Sequence, residues 1–200
     1  RRLAAAMGAR VIMACRDVKK GERVRRQIIR DTNNPEVSIK PLDLEHLPSI
    51  DALADSLDAS STPVHVLINN AGAMMPSYST TGGVERTFVN NHLGVHALTE
   101  RLLPRLRSTA AEGGGDARVV IVTSKLESKG TLDVEDLAMT SRPFSTFSAY
   151  ATSKQANTLY VLDLSRRLAG SGVGVFGVSP GVVATRLARY LPWYLRSLAY

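Results

Sequence analysis

The stretch HVLINNAG, residues 65–72, is a short apolar run that ends in two asparagines, an alanine and a glycine. Apolar runs this short, bounded by turn-forming residues, are typical of strands buried in a parallel sheet. The pattern recurs as RVVIVT (118–123) and VGVFGV (173–178) further along the chain, and as RVIMAC (10–15) and VSIK (37–40) before it. These runs predict five buried strands.

Amphipathic stretches separate the apolar runs. We expect helices over residues 18–32, 47–58, 84–107 and 149–168, and a helix end at residues 1–7 that stops at Gly8. Residues 112–116 are expected to form a turn, and residues 125–147 to be mostly an inserted loop. This alternation predicts one α/β domain over residues 1–200, with helices packed around a parallel sheet.

The composition is that of a globular domain and excludes several classes of protein. Of the 200 residues, 44% are hydrophobic and 22% are charged, which excludes disorder of the whole chain. The single cysteine, Cys15, cannot form an internal disulfide, so a disulfide-stapled scaffold is excluded and a reducing compartment is favoured. No apolar run approaches the roughly 18 residues that a membrane-spanning helix needs. The net charge of +7 permits anionic partners such as nucleic acid, anionic lipid or a phosphorylated ligand.

A tyrosine and a lysine occur with helical spacing in the segment YATSK, residues 150–154. Residues four apart lie on the same face of a helix, so Tyr150 and Lys154 are expected to be neighbours. A nearby cation favours the phenolate form of tyrosine, and the phenol could then give or take a proton at neutral pH. Such a pair also arises by chance on surface helices, so its meaning depends on its surroundings.

Polar clusters surround this pair in the predicted fold. Each lies at the carboxyl end of a predicted strand or in the helix beyond it: Asn69-Asn70-Ala71-Gly72, Asn91-His92-Leu93-Gly94, Thr123-Ser124 and Ser179-Pro180-Gly181. In an open parallel sheet, ligands bind at that edge, because strand ends and helix starts leave unpaired backbone donors.

These motifs, in this order, resemble those of the short-chain dehydrogenase/reductase family. Within the family, the chain most resembles the retinol-dehydrogenase-like branch, through Ala14-Cys15-Arg16-Asp17, Gly21-Glu22, Leu42-Asp43-Leu44, Asn91-His92-Leu93-Gly94, the segment 145–150 and Pro180-Gly181-Val182-Val183. The resemblance implies a Rossmann-type, doubly wound parallel sheet with helices on both faces.

The resemblance also implies a catalytic role for each of four residues. Tyr150 is the general acid or base, which protonates a carbonyl oxygen or deprotonates the alcohol in the reverse direction. Lys154 lowers the pKa of Tyr150, and Ser124 holds the substrate oxygen where charge develops. Asn91, rather than its neighbour Asn90, is the helix-interrupting asparagine that positions a water between Lys154 and solvent.

A nicotinamide dinucleotide is the cofactor that the resemblance implies. Its expected contacts are Asp43 at the adenine, Asn69, Ala71 and Gly72 at the adenosine ribose and pyrophosphate, Lys154 with Tyr150 at the nicotinamide ribose, and Pro180, Gly181 and Thr185 at the nicotinamide.

The position that selects between the two cofactors is occupied by Cys15, followed by Arg16. An enzyme that uses NAD carries an acid here, which accepts a hydrogen bond from the ribose 2′-hydroxyl. A guanidinium suits a 2′-phosphate instead, through charge-assisted hydrogen bonds. We therefore expect NADP(H) to be favoured over NAD(H).

The front of the chain departs from the family pattern. The family's Gly-rich phosphate loop, which follows a first strand, has no counterpart, and residues 1–7 correspond to the end of the helix that this loop opens. We therefore expect an N-terminally truncated domain that lacks its first strand. The single cysteine favours an intracellular, reducing compartment. Any targeting or anchoring segment would precede Arg1, so the sequence leaves open whether the location is cytoplasmic or membrane-associated through that segment.

Other features have a simple interpretation beside a functional one. His92 and His96 have the spacing of metal ligands, but no third ligand accompanies them, so we expect packing and no metal. Cys15 is expected to be an inert side chain at a strand end, and the basic residues of the segment 16–30 to form a solvated helix face. Residues 186–200 are expected to form either an apolar lid over the substrate, which could also touch a membrane, or a docked terminal segment.

Three hypotheses about function follow. The first is an NADP(H)-dependent oxidoreductase that interconverts a carbonyl and an alcohol on an apolar substrate such as a retinoid, a steroid or a lipid aldehyde. The second is a catalytically silent binding or scaffold protein with the same fold, because the phosphate loop is absent. The third, nucleic-acid binding driven by net charge, lacks any accompanying motif, so no nucleic-acid partner is expected. A homodimer through the two long predicted helices is consistent with the resemblance.

Overall fold

Strands and helices alternate along the chain, which confirms the predicted α/β fold. The structure is a computed structural model that describes residues 8–113 and 116–181. The expected helix end at residues 1–7 and the expected lid or terminal segment at residues 186–200 therefore lie outside the described residues.

The elements follow one another in the predicted order. The first part of the chain forms β1 (Val11–Cys15), α1 (Val18–Thr32), β2 (Val37–Pro41), α2 (Leu47–Ala59) and β3 (Val66–Asn69). A hairpin of β4 (Thr80–Thr81) and β5 (Val84–Glu85) leads into α3 (Arg86–Phe88), a π-helical turn (Val89–Leu93) and α4 (Gly94–Glu112). The last part forms β6 (Ala117–Val122), a 3-10 helix (Lys125–Lys129), α5 (Thr146–Arg167) and β7 (Val173–Val178).

All five predicted strands pair in parallel. In the described residues, β1 pairs with β2, and β3, β6 and β7 form a second sheet in that order. The connections between parallel strands cross over through helices, as parallel pairing requires. The carboxyl ends of the strands in each sheet consequently lie along one edge.

Helices α4 and α5 cover one face of the β3–β6–β7 sheet, and this interface is the main core. Leu106 of α4, Leu164 of α5 and Ile121 of β6 are all fully buried there. Side chains on the opposite face of the same sheet are 42–48% exposed: Val66, Ile68, Phe176 and Val178. The face packed against α4 and α5 is therefore the buried one, and this packing fixes α5 relative to the strand ends.

The prediction of a single helix over residues 84–107 is wrong at the start of that range and in its middle. Gly82 and Gly83 have φ of +58° and +81°, which closes the β4–β5 hairpin and places the residues before Arg86 in a strand. The buried carboxylate of Glu85 then caps the helix by accepting a hydrogen bond of 2.9 Å from the Thr87 amide. A π-helical turn interrupts the helix beyond this cap.

Two helix ends also differ from the prediction. Helix α4 continues to Glu112, beyond the expected end at residue 107. Helix α5 begins at Thr146 rather than at residue 149, because the Ser145 hydroxyl caps it by accepting a hydrogen bond from the Ser148 amide. Among the helices in residues 8–113 and 116–181, none has the length and apolar character needed to cross a bilayer.

Candidate active site

Three of the predicted polar clusters begin at one level of the sheet. The parallel register places Asn69 of β3 beside Ile121 of β6, and Val122 of β6 beside Val178 of β7. The segments that leave these strands, 70–72, 123–124 and 179–181, therefore start side by side at the carboxyl edge. This is the edge at which an open parallel sheet binds ligands.

Tyr150, Lys154 and Ser124 converge at this edge. Tyr150 and Lys154 lie one turn apart on α5, with the Lys154 Nζ atom 5.6 Å from the centroid of the Tyr150 ring. The Ser124 hydroxyl, just beyond β6, lies close enough to Tyr150 to lower the pKa of the phenol. Lys154 Nζ also donates a hydrogen bond of 2.7 Å to the backbone oxygen of Val122. The i, i+4 spacing in the sequence thus does bring the phenol and the ammonium onto one helix face.

Burial dominates the electrostatics of this group. It raises the pKa of Tyr150, while the neighbouring Ser124 hydroxyl lowers it, because a donor favours the phenolate. Burial also lowers the pKa of Lys154 to about 8. The expected lowering of the Tyr150 pKa by Lys154 is not what the structure shows: the net shift is upward, and the neighbour that opposes it is Ser124.

Asn91 lies in the π-helical turn and ties three segments together. Its side chain accepts a hydrogen bond of 2.8 Å from the Ala73 amide and donates one of 2.9 Å to the Ala73 oxygen. The same amide group donates to the Ser153 hydroxyl at 3.1 Å, and that hydroxyl donates to the Tyr150 backbone oxygen at 2.7 Å. Asn91 thus links the loop after β3 to the turn of α5 that carries Tyr150. It does interrupt the helix, as the resemblance implies.

A glycine allows the π-helical turn to approach the loop after β2. A Cβ atom at Gly94 would lie 2.1 Å from the backbone oxygen of Leu44. Any larger residue would therefore push the start of α4 away from this loop. The glycine of the sequence motif NHLG is explained by this close approach.

Four of the residues expected to contact the cofactor are exposed along this edge, where a ligand could reach them. Ala71, Gly72, Pro180 and Gly181 are all exposed. A Cβ atom at Gly72 would find only Asn91 Oδ1 and Lys154 Nζ nearby, each at 3.7 Å. A small residue therefore adjoins Lys154 Nζ and Asn91 on this side. Thr185, also expected at the nicotinamide, lies outside the described residues.

Two of the expected cofactor contacts have partners within the protein. The Asn69 side chain is buried and donates a hydrogen bond of 2.9 Å to Thr99 of α4, so its amide nitrogen points into the core. The Asp43 amide donates to the Ser49 hydroxyl at 2.9 Å, and the Asp43 carboxylate accepts from the Glu45 amide at 3.0 Å. Asp43 therefore shapes the loop after β2, and a contact with adenine would use its second carboxylate oxygen or the amide beside it.

Arg16 lies directly beyond β1, as predicted, and has a carboxylate neighbour that the sequence did not reveal. Its guanidinium is 3.4 Å from Glu45, and its side chain is 60% exposed. Glu45 is 2.7 Å from Arg86, which is the closer of its two arginine contacts. Glu45 is 29 residues from Arg16 and 41 residues from Arg86 along the chain, so no local pattern could have predicted this group.

The features with a simple interpretation have ordinary surroundings in the structure. His92 forms a hydrogen bond with Asn157, and the described residues hold no group of three side chains suited to a metal ion. Burial and the nearby Asp17 raise the pKa of Cys15, which disfavours the reactive thiolate. Within α1, Arg25 and Arg26 both pair with Glu22.

Comparison with known proteins identifies the family. The profile of the short chain dehydrogenase family matches residues 1–192. The chain belongs to this family of oxidoreductases.

Particular relatives agree with the branch that the motifs indicate. Retinol dehydrogenase 12 of Mus musculus is 45% identical over 183 residues, which are 91% of this chain and 56% of that protein. Polyprenol dehydrogenase of Mus musculus is 39% identical over 196 residues, which are 96% of this chain and 58% of that protein. The chain thus spans little more than half the length of these relatives.

A solved structure shares the fold. The crystal structure of an uncharacterized protein from Mycobacterium paratuberculosis is 40% identical and has a TM-score of 0.77. The match covers 94% of this chain and 65% of that one. Together with the sequence matches, it confirms the predicted family and fold class.

Proposed function

We propose that the protein is an NADP(H)-dependent oxidoreductase that interconverts a carbonyl compound and an alcohol on an apolar substrate. The observation that carries this proposal is the convergence of Tyr150, Ser124 and Lys154 at the open edge of the sheet. When bound, the nicotinamide ring of the cofactor gives or takes the hydride. The chain's own residues must orient the substrate and move the proton at its oxygen.

Tyr150 is the group that moves this proton. In reduction, its hydroxyl donates a proton to the substrate oxygen, and in oxidation the phenolate takes that proton back. Burial raises the pKa of Tyr150, which keeps the hydroxyl protonated at neutral pH and suits the donating role. With a pKa of about 8, Lys154 is mostly charged at pH 7, so it stabilises the phenolate that remains.

Ser124 holds the substrate oxygen beside Tyr150. Its hydroxyl lies close enough to Tyr150 to lower the pKa of the phenol, and it accepts a hydrogen bond of 3.2 Å from the Leu126 amide, which fixes the side chain at the start of the 3-10 helix. A donor held in place stabilises the charge that develops on the oxygen without the cost of reorganisation.

The preference for NADP(H) rests on Arg16. Its exposed guanidinium lies at the end of β1, and Glu45 contacts Arg86 more closely than it contacts Arg16. A 2′-phosphate could therefore pair with Arg16 while Glu45 keeps Arg86 as its partner.

Replacing Arg16 by Glu tests this preference. We expect the affinity for NADPH to fall at least about tenfold, because a charge-assisted contact becomes a repulsive one, while the affinity for NADH changes little. Arg30→Glu, the same charge change on an exposed residue in the last turn of α1, is the control and should leave both affinities unchanged. Equal losses for the two cofactors in Arg16→Glu would refute the role of Arg16.

The substrate class rests on the relatives. The names of two of them specify retinol and polyprenol, which are both isoprenoid alcohols. We propose that the substrate of this protein is likewise an apolar alcohol or its aldehyde, with an isoprenoid chain as the first candidate.

The function is tested by NADPH oxidation with an isoprenoid aldehyde such as retinal. Tyr150→Phe should lower kcat by about 10²- to 10⁴-fold, the range for loss of a general acid, while NADPH still raises the melting temperature. Tyr160→Phe is the matched control, because Tyr160 is a buried tyrosine of the same helix whose hydroxyl binds Glu100. Absence of both cofactor binding and turnover in the unmodified protein would favour a catalytically silent protein and overturn the proposal.

A further inference from the structure

A buried asparagine on α5, outside the predicted site, contacts the π-helical turn. Asn157 is 1% exposed and lies three residues after Lys154. Its Nδ2 atom donates a hydrogen bond of 3.0 Å to the backbone oxygen of Asn91, and its Oδ1 atom is 3.0 Å from His92 Nδ1. One side chain thus holds two consecutive residues of the turn.

The Asn91 carbonyl fixes the orientation of the Asn157 amide. A carbonyl oxygen only accepts hydrogen bonds, so the NH₂ group of Asn157 must face it and the oxygen must face His92. The Asn157 oxygen also only accepts, and His92 must therefore carry a proton on Nδ1. Burial lowers the pKa of His92, which keeps the ring neutral, so the second ring nitrogen, Nε2, is unprotonated.

The π-helical turn needs such an external partner. Its hydrogen bonds span five residues, as in the bond from the Gly94 amide to the Val89 oxygen, and this spacing disturbs the regular pairing of neighbouring backbone groups. The Asn91 carbonyl has two lone pairs, and Asn157 occupies one of them. Asn157 therefore fixes the backbone of Asn91 one turn further along α5 than Ser153, which the Asn91 side chain binds.

We propose that Asn157 is a positioning residue: it holds the Asn91 carbonyl and the His92 ring, and so keeps the Asn91 side chain in its contacts with Ala73 and Ser153 beside Tyr150. The effect on turnover rests on the proposed function, whereas the effect on the contacts of Asn91 does not. The two are therefore measured separately.

The contacts are tested by NMR on the protein without added ligand. The ¹⁵N shifts of the His92 ring should show the Nδ1-protonated tautomer. In Asn157→Leu, which keeps the branched shape of the side chain and removes both hydrogen bonds, exchange of the Ala73 amide proton should accelerate about tenfold, since it depends on the Asn91 side chain. Exchange of the Ile121 amide in the core should stay unchanged. An Nε2-protonated His92, or unchanged Ala73 exchange, would overturn the proposal.

Two further variants separate positioning from general stability. Asn157→Asp keeps an acceptor for His92, and in its ionised form it cannot donate to Asn91, so at a pH where the new carboxyl group is ionised it should accelerate Ala73 exchange as Asn157→Leu does. Thr152→Val removes another buried polar group of α5, one whose hydroxyl contacts Thr131 rather than the turn, and should leave Ala73 exchange unchanged. Acceleration of equal size in Thr152→Val would show a general loosening of the helix and refute the specific role.

Turnover provides the second measurement. If the proposed function holds, Asn157→Leu should lower kcat about tenfold and increase the deuterium isotope effect on kcat, because a displaced site slows the chemical step itself. A lower content of folded enzyme would reduce kcat without moving the isotope effect, and that outcome would overturn the positioning role. If the unmodified protein shows no turnover while the NMR results are as expected, the proposed function is refuted, but the contacts of Asn157 are not.

Discussion

Gly94 is the position at which a single added methyl group should disturb the site most directly. In Gly94→Ala, the new Cβ atom would lie 2.1 Å from the Leu44 oxygen and 2.7 Å from the Leu44 Cβ atom. Ordinary contact begins at 3.4 Å, so the start of α4 must move by about 1.3 Å from the loop after β2. The obstacle is backbone, which no rotation of a side chain can remove.

The cost can be estimated from two opposing contributions. Overpacking of a buried contact costs about 1–3 kcal/mol, and alanine is favoured over glycine within a helix by about 1 kcal/mol. Because the obstacle is rigid, we take the upper part of the first range and expect a net loss of about 1–2 kcal/mol in the free energy of unfolding. Since the displaced segment adjoins Asn91, turnover should fall as well.

Urea unfolding followed by circular dichroism measures this loss as a lower midpoint at an unchanged m-value. Gly21→Ala is the matched control on α1. The nearest atom to its new Cβ is the Cys15 sulfur at 2.6 Å, a side-chain atom that can move, so we expect a smaller loss of stability than in Gly94→Ala. Adding Cys15→Ala should restore the stability of Gly21→Ala. Wild-type stability and turnover in Gly94→Ala would refute the close approach.

Two further predictions concern buried charged groups. Lys154 has a pKa of about 8 in the folded protein and an ordinary value of 10.5, so at this group the unfolded chain binds more protons between these values, and Lys154 should contribute a rise in stability as the pH increases from 8 to 10.5. Lys154→Met should abolish this rise, which urea unfolding at several pH values measures; a rise of equal size in the variant would contradict the assignment. The fully buried carboxylate of Glu85 accepts hydrogen bonds from the Thr87 and Phe88 amides, and Glu85→Gln replaces one acceptor by a donor. It should cost about 1–3 kcal/mol in the same measurement, and an unchanged midpoint would contradict the capping role.

The parts of the fold set by local periodicity could be predicted from the sequence. Five apolar runs predicted five parallel strands, because burial on a sheet needs only a short apolar segment. The spacing of Tyr150 and Lys154 predicted their shared helix face, because four residues are about one helical turn. Strand ends then located the polar edge without any knowledge of tertiary contacts.

The remaining features depend on contacts that no local pattern encodes. The π-helical turn at Asn91 is stabilised by Ala73, Ser153 and Asn157, which are 18, 62 and 66 residues away. The sequence identified Asn91 only through the family resemblance, and it gave no signal for Asn157. The balance at Tyr150 was also missed, because burial, which raises its pKa, is visible only once α5 is packed.

The central claim, that this site transfers a hydride with Tyr150 as the proton donor, is tested most directly with NADPH that carries deuterium at both positions of C4 of the nicotinamide. The protein is incubated with retinal, and the alcohol product is analysed by mass spectrometry. We predict one deuterium at the carbinol carbon for the unmodified protein and for Tyr160→Phe, with the yield in Tyr150→Phe reduced by about 10²-fold or more at equal NADPH binding. An alcohol without deuterium, or an undiminished yield from Tyr150→Phe, would contradict the claim.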